Sequence, residues 1–135
     1  MKRLDEKVSV SGQIRPEEMT KLASDGTRMI VNNRPDDEEA EQPAAAEIAA
    51  AAQAAGLAYR HIPVGSGGLS ANQVKAMAEA LEAADGPVLA FCRSGTRSTY
   101  LWALAEARRG VPAQELIAKA AAAGYDLTSI RPFLG

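Results

Sequence analysis

Cysteine and histidine each occur only once in this chain of 135 residues, as Cys92 and His61. A single cysteine excludes an internal disulfide, which makes a reducing compartment the simplest setting, and we expect a cytoplasmic location. One residue of each type is also too few for the usual zinc ligand sets, so no metal site is predicted. The glycine-rich nucleotide motifs Gly-x-Gly-x-x-Gly and Gly-x-x-x-x-Gly-Lys do not occur either, and we expect no cofactor.

An excess of charge of either sign is missing as well. The 15 basic and 17 acidic residues give a formal net charge of -2, which excludes a general attraction to nucleic acid or to an anionic membrane surface. Residues 1–3 are basic, but charged residues rather than an apolar core follow them, so no secretory signal is expected. Glu47 and Gln53 interrupt the alanine-rich stretch 44–58, which therefore favours a soluble helix over a membrane span.

Apolar residues are plentiful: they make up 47% of the chain, enough for the core of a single domain spanning residues 1–135. Short apolar or β-branched runs predict strands over residues 8–13, 27–32, 57–64 and 87–91. Helical spacing with proline or glycine at the ends predicts helices over 16–24, 43–56, 98–109 and 113–123, another starting at Ser70, and a short turn over 127–131. This alternation predicts an α/β three-layer sandwich around a central, mostly parallel sheet.

The most informative segment is Phe91 to Ser98, which reads Phe-Cys-Arg-Ser-Gly-Thr-Arg-Ser. It places Cys92 at the end of an apolar strand and directly before a helix. The N–H groups of such a loop and the helix N-terminus converge on one point, where they favour an anion or a thiolate. Those surroundings can lower the pKa of a cysteine from about 8.5 to roughly 3.5–7.5. We therefore predict that Cys92 is an ionised nucleophile with its sulfur open to solvent; a buried structural cysteine is the alternative.

Other residues of this loop suit parts of the same role. Gly95 allows a tight turn without a Cβ clash, and the planar guanidinium of Arg97 suits an anion. The Ser98 hydroxyl is expected to donate a hydrogen bond to the thiolate. The anion nest would be formed by the backbone N–H groups of Ser94, Gly95 and Thr96. Arg93 has two equal interpretations, a rim residue that attracts anions or a partner in a surface ion pair.

Two more loops are predicted at the same edge of the sheet as residues 93–97, because parallel strands end at one edge, where ligands bind. The loop over residues 33–39 is acidic, and the loop over residues 65–69 is rich in glycine. In the acidic loop, Asp36 or Asp37 would be available as an acid, although a solvated loop without a catalytic role is the simpler interpretation.

Two basic side chains near these loops leave alternatives open. Arg34 either reaches the anion pocket or pairs with Asp36 or Glu38. His61 lies in a strand pattern, and we interpret it as structural or partly exposed rather than as the general base that a cysteine protease or acyltransferase needs.

The loop with Cys92, Gly95, Arg97 and Ser98 resembles the active-site loops of two groups, the cysteine-based protein tyrosine and dual-specificity phosphatases and the rhodanese sulfurtransferases. The wider chain resembles a small bacterial domain, the phosphatase-like domain of the beta-lactamase-hydrolase-like family. That domain is found alone or joined to a metallo-β-lactamase-type persulfide dioxygenase. The resemblance rests on residues 10–13, 30–36, 61–64 and 91–98. It implies a dual-specificity-phosphatase-like sandwich and, as a partner, such a dioxygenase.

Two details separate the chemistries that this resemblance implies. Phosphatases of this type have five residues between the cysteine and the arginine, whereas four separate Cys92 from Arg97, as in the rhodanese-like pattern Cys-Arg-Ser-Gly-x-Arg. By resemblance, the acid that protonates the departing alkoxide should closely follow residues 61–64, but residues 65–68 contain no carboxylate. Sulfur transfer has no such requirement.

We therefore predict a sulfurtransferase that carries a persulfide on Cys92. It would take sulfur from a small anionic donor such as thiosulfate and pass it to a thiol acceptor. The alternative is a phosphatase that hydrolyses phosphomonoesters through a phosphocysteine, and a second alternative is a non-catalytic sensor of anions or persulfides. Under the leading hypothesis Arg97 orients and neutralises the anion, and no nucleic acid or membrane partner is expected.

Overall fold

One five-stranded sheet forms the centre of the computed structural model, which describes residues 1–135. Its strands are β1 (Lys2–Arg3), β2 (Val8–Ser11), β3 (Met29–Asn32), β4 (Ala58–His61) and β5 (Val88–Phe91). The strand order is β1-β2-β5-β3-β4, and only the β1–β2 pair is antiparallel. The other four strands run in one direction, so the loops that follow them meet at a single edge of the sheet.

Three helices connect the parallel strands, and two more follow β5. They are α1 (Met19–Ser24), α2 (Ala45–Ala54), α3 (Ala71–Ala83), α4 (Thr96–Arg108) and α5 (Ala113–Ala122), with 3-10 turns over Pro16–Glu18 and Thr128–Phe133. A reciprocal capping box starts α3, because Ser70 and Gln73 each accept the other's backbone N–H through their side chains. None of the helices is both long and apolar enough to cross a membrane.

Alternate residues of β5 enter two different cores. Val88 and Ala90 belong to the larger apolar cluster, which contains the buried apolar residues of α3, α4 and α5. Leu89 and Phe91 belong to a smaller cluster, which contains Met19 of α1 and Ile48 and Ala52 of α2. Successive strand residues point to opposite faces, so β5 is buried on both faces as the central strand of a sandwich. The structure confirms the predicted α/β sandwich with its mostly parallel sheet.

Several element boundaries differ from the sequence prediction, and the start of α4 is the one that affects the site. The helix predicted from Ser98 begins at Thr96, because Gly95 adopts φ 91 and closes the loop there. Arg97 therefore lies in the first turn of α4 rather than in the loop. Strand β1 has no predicted counterpart, since two residues are too few to show an alternating pattern.

Candidate active site

Cys92 directly follows β5, at the edge of the sheet where the parallel strands end. The loop wraps around its sulfur, and the Gly95 N–H donates to Sγ at 3.1 Å. Cys92 has no accessible surface, so the expectation of a sulfur open to solvent is wrong for this structure. The guanidinium of Arg97 lies near enough to the thiol for their charges to interact, and its hydrogen bonds are made to Val64 and Glu38. The sulfur is thus buried in a polar nest, unlike the apolar site of a structural cysteine.

Opposing effects act on the pKa of the Cys92 thiol. Burial raises the pKa, because the charged thiolate is poorly solvated inside the protein. The N–H groups of Ser98, Ser94 and Gly95 and the Ser98 hydroxyl lower it by stabilising the thiolate, and the net result is a pKa below the ordinary value. Backbone donors therefore make the buried sulfur easier to ionise, as a nucleophile requires.

The Ser98 hydroxyl has a second partner that the sequence analysis did not identify. It donates to Oδ1 of the fully buried Asn33 at 2.8 Å. The Asn33 amide is itself oriented, because its Nδ2 donates to the Ile62 carbonyl at 3.0 Å. A hydroxyl carries one hydrogen, so the hydrogen bond expected from Ser98 to the thiolate competes with the one to Asn33. The sequence signal for Asn33 is its place at the end of a buried strand.

Arg97 links its own segment to the acidic loop and to the chain that follows β4. Its Nη1 donates to the Val64 carbonyl, directly before the glycine-rich loop, at 2.6 Å. Both Nη atoms donate to the Glu38 carboxylate of the acidic loop, at 2.8 and 3.0 Å. This bidentate contact is the pairing that a guanidinium makes with a planar or tetrahedral anion. The Glu38 carboxylate thus occupies the donors that a substrate anion would use.

A second arginine, Arg34, also binds the Glu38 carboxylate. The Arg34 side chain is 3% exposed, and its Nε donates to Glu38 at 2.8 Å. Its remaining nitrogens donate to Gln13 and to Glu39. Of the interpretations open for Arg34, the structure gives the ion pair with Glu38. Arg97 and then Arg34 lower the pKa of Glu38 against the opposing effect of burial, so this carboxylate is ionised at neutral pH.

The remaining loop residues lie at the rim. Arg93 is 67% exposed and forms a long ion pair with Glu39 at 3.6 Å, which fits the surface-pair interpretation. Ser94 is exposed, and its hydroxyl donates to the Thr96 hydroxyl at 3.0 Å, so these two side chains satisfy each other. Of the N–H groups predicted to form the nest, those of Ser94 and Gly95 act on the sulfur, together with the Ser98 N–H, which was not predicted.

The aspartates of the acidic loop are used differently from its Glu38. Asp36 Oδ1 accepts the backbone N–H of Ala45 at 2.7 Å, in the first turn of α2. Asp37 is exposed and adopts φ 64, in the left-handed region. Neither side chain makes a hydrogen bond to Cys92 or Arg97. The carboxylate that the structure brings to Arg97 is Glu38, which the sequence analysis considered only as a partner for Arg34.

The glycine-rich loop after β4 is an exposed turn without charge, in which the Gly68 N–H donates to the Gly65 carbonyl at 3.1 Å.

The exposed His61 contacts the Arg34 carbonyl at 3.0 Å through Nε2, which fits the structural interpretation. No group of three or more His, Cys, Asp or Glu side chains is arranged to hold a metal ion.

Comparison with known proteins identifies the family. The model of the phosphatase-like domain of beta-lactamase hydrolase-like proteins matches residues 1–109. The chain belongs to this family. A beta-lactamase hydrolase-like protein of Xylella fastidiosa strain Temecula1 is 38% identical over 125 residues, 92% of this chain, and one of Agrobacterium fabrum is 36% identical over 108 residues, 80% of this chain. The chain spans only 29% and 25% of the length of these relatives.

Solved structures extend the comparison to the fold. A candidate phosphatase from Neisseria meningitidis Z2491 superposes with a TM-score of 0.84 and 36% identity, over 98% of this chain and 94% of that one. The active form of Tk-PTP superposes with a TM-score of 0.76 over 98% of this chain and 91% of its own, at 20% identity. The beta-lactamase hydrolase-like domain thus has the protein-tyrosine-phosphatase type of fold around a cysteine loop. These comparisons support a phosphatase-type function and give no support to sulfur transfer.

Proposed function

We propose that this domain is a cysteine-dependent phosphatase that hydrolyses phosphomonoesters through a phosphocysteine on Cys92. The observation that carries the proposal is the pairing of two features at one point. The Cys92 thiol has a lowered pKa among backbone N–H groups, and a guanidinium able to bind an anion with two N–H groups lies beside it. The 36% identical candidate phosphatase supports the same class of reaction.

The proposed reaction has two steps. The Cys92 thiolate attacks phosphorus, the P–S bond forms, and the P–O ester bond breaks to release the alcohol or phenol oxygen. Water then attacks phosphorus and the P–S bond breaks, which releases inorganic phosphate and regenerates the thiolate. The loop N–H groups and Arg97 stabilise the phosphoryl oxygens in both steps. For this to happen, those oxygens must replace the Glu38 carboxylate on the Arg97 nitrogens.

The leaving group limits the choice of ester. The glycine-rich loop supplies no carboxylic acid, and Glu38 is ionised while it is paired with Arg97. An alkoxide leaves slowly without a proton donor, whereas a phenolate is stable enough to leave without one. Aryl phosphates are therefore the proposed substrate class, in preference to alkyl phosphates.

The test is the turnover of 4-nitrophenyl phosphate by the wild-type protein and by Cys92→Ser. The wild-type protein should release nitrophenol, and acid quenching should trap one phosphoryl group on Cys92, detectable by mass spectrometry. Cys92→Ser should do neither while remaining folded. Equal turnover by the two proteins would overturn the proposal, as would phosphorylation at another residue.

Sulfur transfer is a second candidate function, favoured by the four-residue spacing between Cys92 and Arg97 and by the uncharged loop after β4. In that reaction the thiolate attacks the outer sulfur of thiosulfate, the S–S bond breaks, and sulfite leaves. Cyanide or a thiolate then removes the sulfur from the Cys92 persulfide and regenerates the thiolate. No proton is needed by the leaving sulfite.

The same two proteins separate the candidates. Thiocyanate formation from thiosulfate and cyanide by the wild-type protein, without aryl phosphate turnover, would replace the phosphatase proposal by sulfur transfer. Failure of both reactions, with phosphate or thiosulfate still protecting Cys92 from alkylation, would leave the sensor hypothesis.

A further inference from the structure

Tyr125 reaches the nucleophile loop, the segment from Cys92 to Gly95 between β5 and α4, from the far end of the chain. It follows α5 and Gly124, whose φ of 94 turns the chain, and the Tyr125 N–H donates back to the Ala120 carbonyl at 2.9 Å. This helix end points the tyrosine ring toward the loop after β5. Tyr125 lies beyond residues 1–109, the part of the chain that the family model matches.

The Tyr125 hydroxyl donates to the Ser94 carbonyl at 3.0 Å. This carbonyl belongs to the same peptide group as the Gly95 N–H, which donates to Cys92 Sγ at 3.1 Å. In a planar trans peptide the C=O and the N–H point in opposite directions. A hydrogen bond that holds the carbonyl outward therefore keeps the N–H directed at the sulfur.

We propose that Tyr125 is a positioning residue for the Cys92 nucleophile, because its hydroxyl fixes the Ser94–Gly95 peptide with the N–H toward the sulfur. The proposal rests on the proposed function only in taking Cys92 as the nucleophile. It holds for phosphoryl transfer and for sulfur transfer alike, since both begin with the thiolate.

Packing supports the same role for this side chain. A Cβ atom on Gly95 would overlap the Tyr125 hydroxyl and lie 3.0 Å from Cζ of the ring, so the two residues are in direct contact. Gly95 is therefore required by its φ of 91 and by the closeness of the tyrosine. The ring has no space to move nearer, and the contact defines where the loop backbone lies.

The tyrosine remains a donor over the useful pH range. Burial and then the negative charge of Cys92 raise the pKa of Tyr125, so its hydroxyl is protonated at neutral pH. The other charged groups acting near the sulfur are Arg97 from α4 and Glu38, which acts through Arg97. Removing the Tyr125 hydroxyl leaves both of these in place.

The experiment measures how the rate of Cys92 alkylation by iodoacetamide depends on pH, in the full chain without substrate. Cys92 is the only cysteine, so all of the signal comes from it. Tyr125→Phe should raise the pKa of Cys92 by about 0.5 to 1, which corresponds to roughly threefold to tenfold slower alkylation below that pKa. The matched control is Tyr100→Phe, which loses a hydroxyl bonded to Ser129 at 3.0 Å and should leave the Cys92 pKa unchanged.

An unchanged Cys92 pKa in a folded Tyr125→Phe protein would overturn the proposal, and so would an equal rise in Tyr100→Phe. If Tyr125→Phe does not fold, Tyr125→Gln, which keeps a donor, is compared with Tyr125→Leu, which does not. The rise should then be confined to the leucine variant, and equal pKa values in the two would also overturn the proposal. Because alkylation needs no turnover, failure of the phosphatase assay and failure of this test are separate results.

Discussion

The nucleophile loop after β5 and the acidic loop after β3 follow neighbouring strands, yet they are held in different ways. In the nucleophile loop, backbone N–H groups surround a sulfur that has no accessible surface. In the acidic loop, long side chains make the contacts, and residues 36–40 are exposed. Hydrogen bonds from the backbone stabilise the attacking group, whereas the exposed carboxylates control access to the guanidinium beside it. The first loop should therefore determine the chemical step and the second the affinity for anions.

Arg97→Lys should have the largest effect on turnover, because Arg97 lies beside the sulfur and also binds Glu38 of the acidic loop. A lysine keeps the charge but cannot present two parallel N–H groups to an anion. We expect kcat/KM for 4-nitrophenyl phosphate to fall about 100-fold or more, as for the loss of a preorganised transition-state donor. The control is Arg93→Lys in the nucleophile loop, where a 67% exposed side chain should change kcat/KM less than about threefold. Equal losses of kcat/KM in Arg97→Lys and Arg93→Lys would contradict the different roles given to Arg97 beside the sulfur and Arg93 at the exposed rim.

Glu38→Gln should raise kcat/KM for the aryl phosphate, by a smaller factor than Arg97→Lys lowers it. It removes the carboxylate that competes with substrate for Arg97, and a partly exposed ion pair of this kind contributes about 1 kcal/mol. We expect the KM for the aryl phosphate to fall roughly threefold to tenfold, with kcat changed much less.

Glu39→Gln is the matched control for Glu38→Gln, because Glu39 is the neighbouring carboxylate and does not contact Arg97. Its KM should stay within about twofold of the wild-type value. A fall in kcat of about 100-fold in Glu38→Gln, instead of a lower KM, would show that Glu38 is the missing general acid.

Asp36→Ala should affect stability rather than catalysis. The α2 N-cap residue Ala44 has no side chain that can accept a hydrogen bond, and Asp36 fulfils this role for the Ala45 N–H. The free energy of unfolding, measured with urea, should fall by about 1 kcal/mol. Turnover per folded molecule should be unchanged, and Asp36→Asn, which keeps an oxygen acceptor, should lose less stability. Loss of turnover in both Asp36→Ala and Asp36→Asn would indicate that Asp36 acts as the acid in catalysis.

The smallest effect is expected in the pH dependence of stability. The folded-state pKa of Cys92 is lowered, so the folded protein binds the thiol proton less tightly than the unfolded chain does. The stabilising contribution of the thiolate is therefore complete above the ordinary cysteine pKa and is lost as the pH falls through the lowered one. The stability of the wild-type protein relative to Cys92→Ser should rise with pH across this interval in urea unfolding. A difference that does not change with pH would mean that the nest does not stabilise the thiolate.

The nucleophile loop was predictable because its information is local. An apolar strand, a cysteine, a glycine and an arginine stand within eight residues, and the turn at Gly95 follows from backbone sterics. The contacts of Arg97 were not predictable, since its partners Val64 and Glu38 lie 33 and 59 positions away in the chain. For the same reason sequence analysis missed Glu38, Asn33 and Tyr125 as residues of the site.

Periodicity and composition along the chain were sufficient to predict the alternating strands and helices, the sandwich and the position of Cys92 at the end of a strand. The reason is that neighbouring residues dictate backbone conformation and the direction of burial. Only the tertiary structure decided which carboxylate contacts Arg97. It also decided which hydroxyl donates to the Ser94 carbonyl. Such contacts depend on side chains from separate loops arriving within about 3 Å of each other. That arrangement is produced by the packing of the helices on the sheet and not by any local pattern.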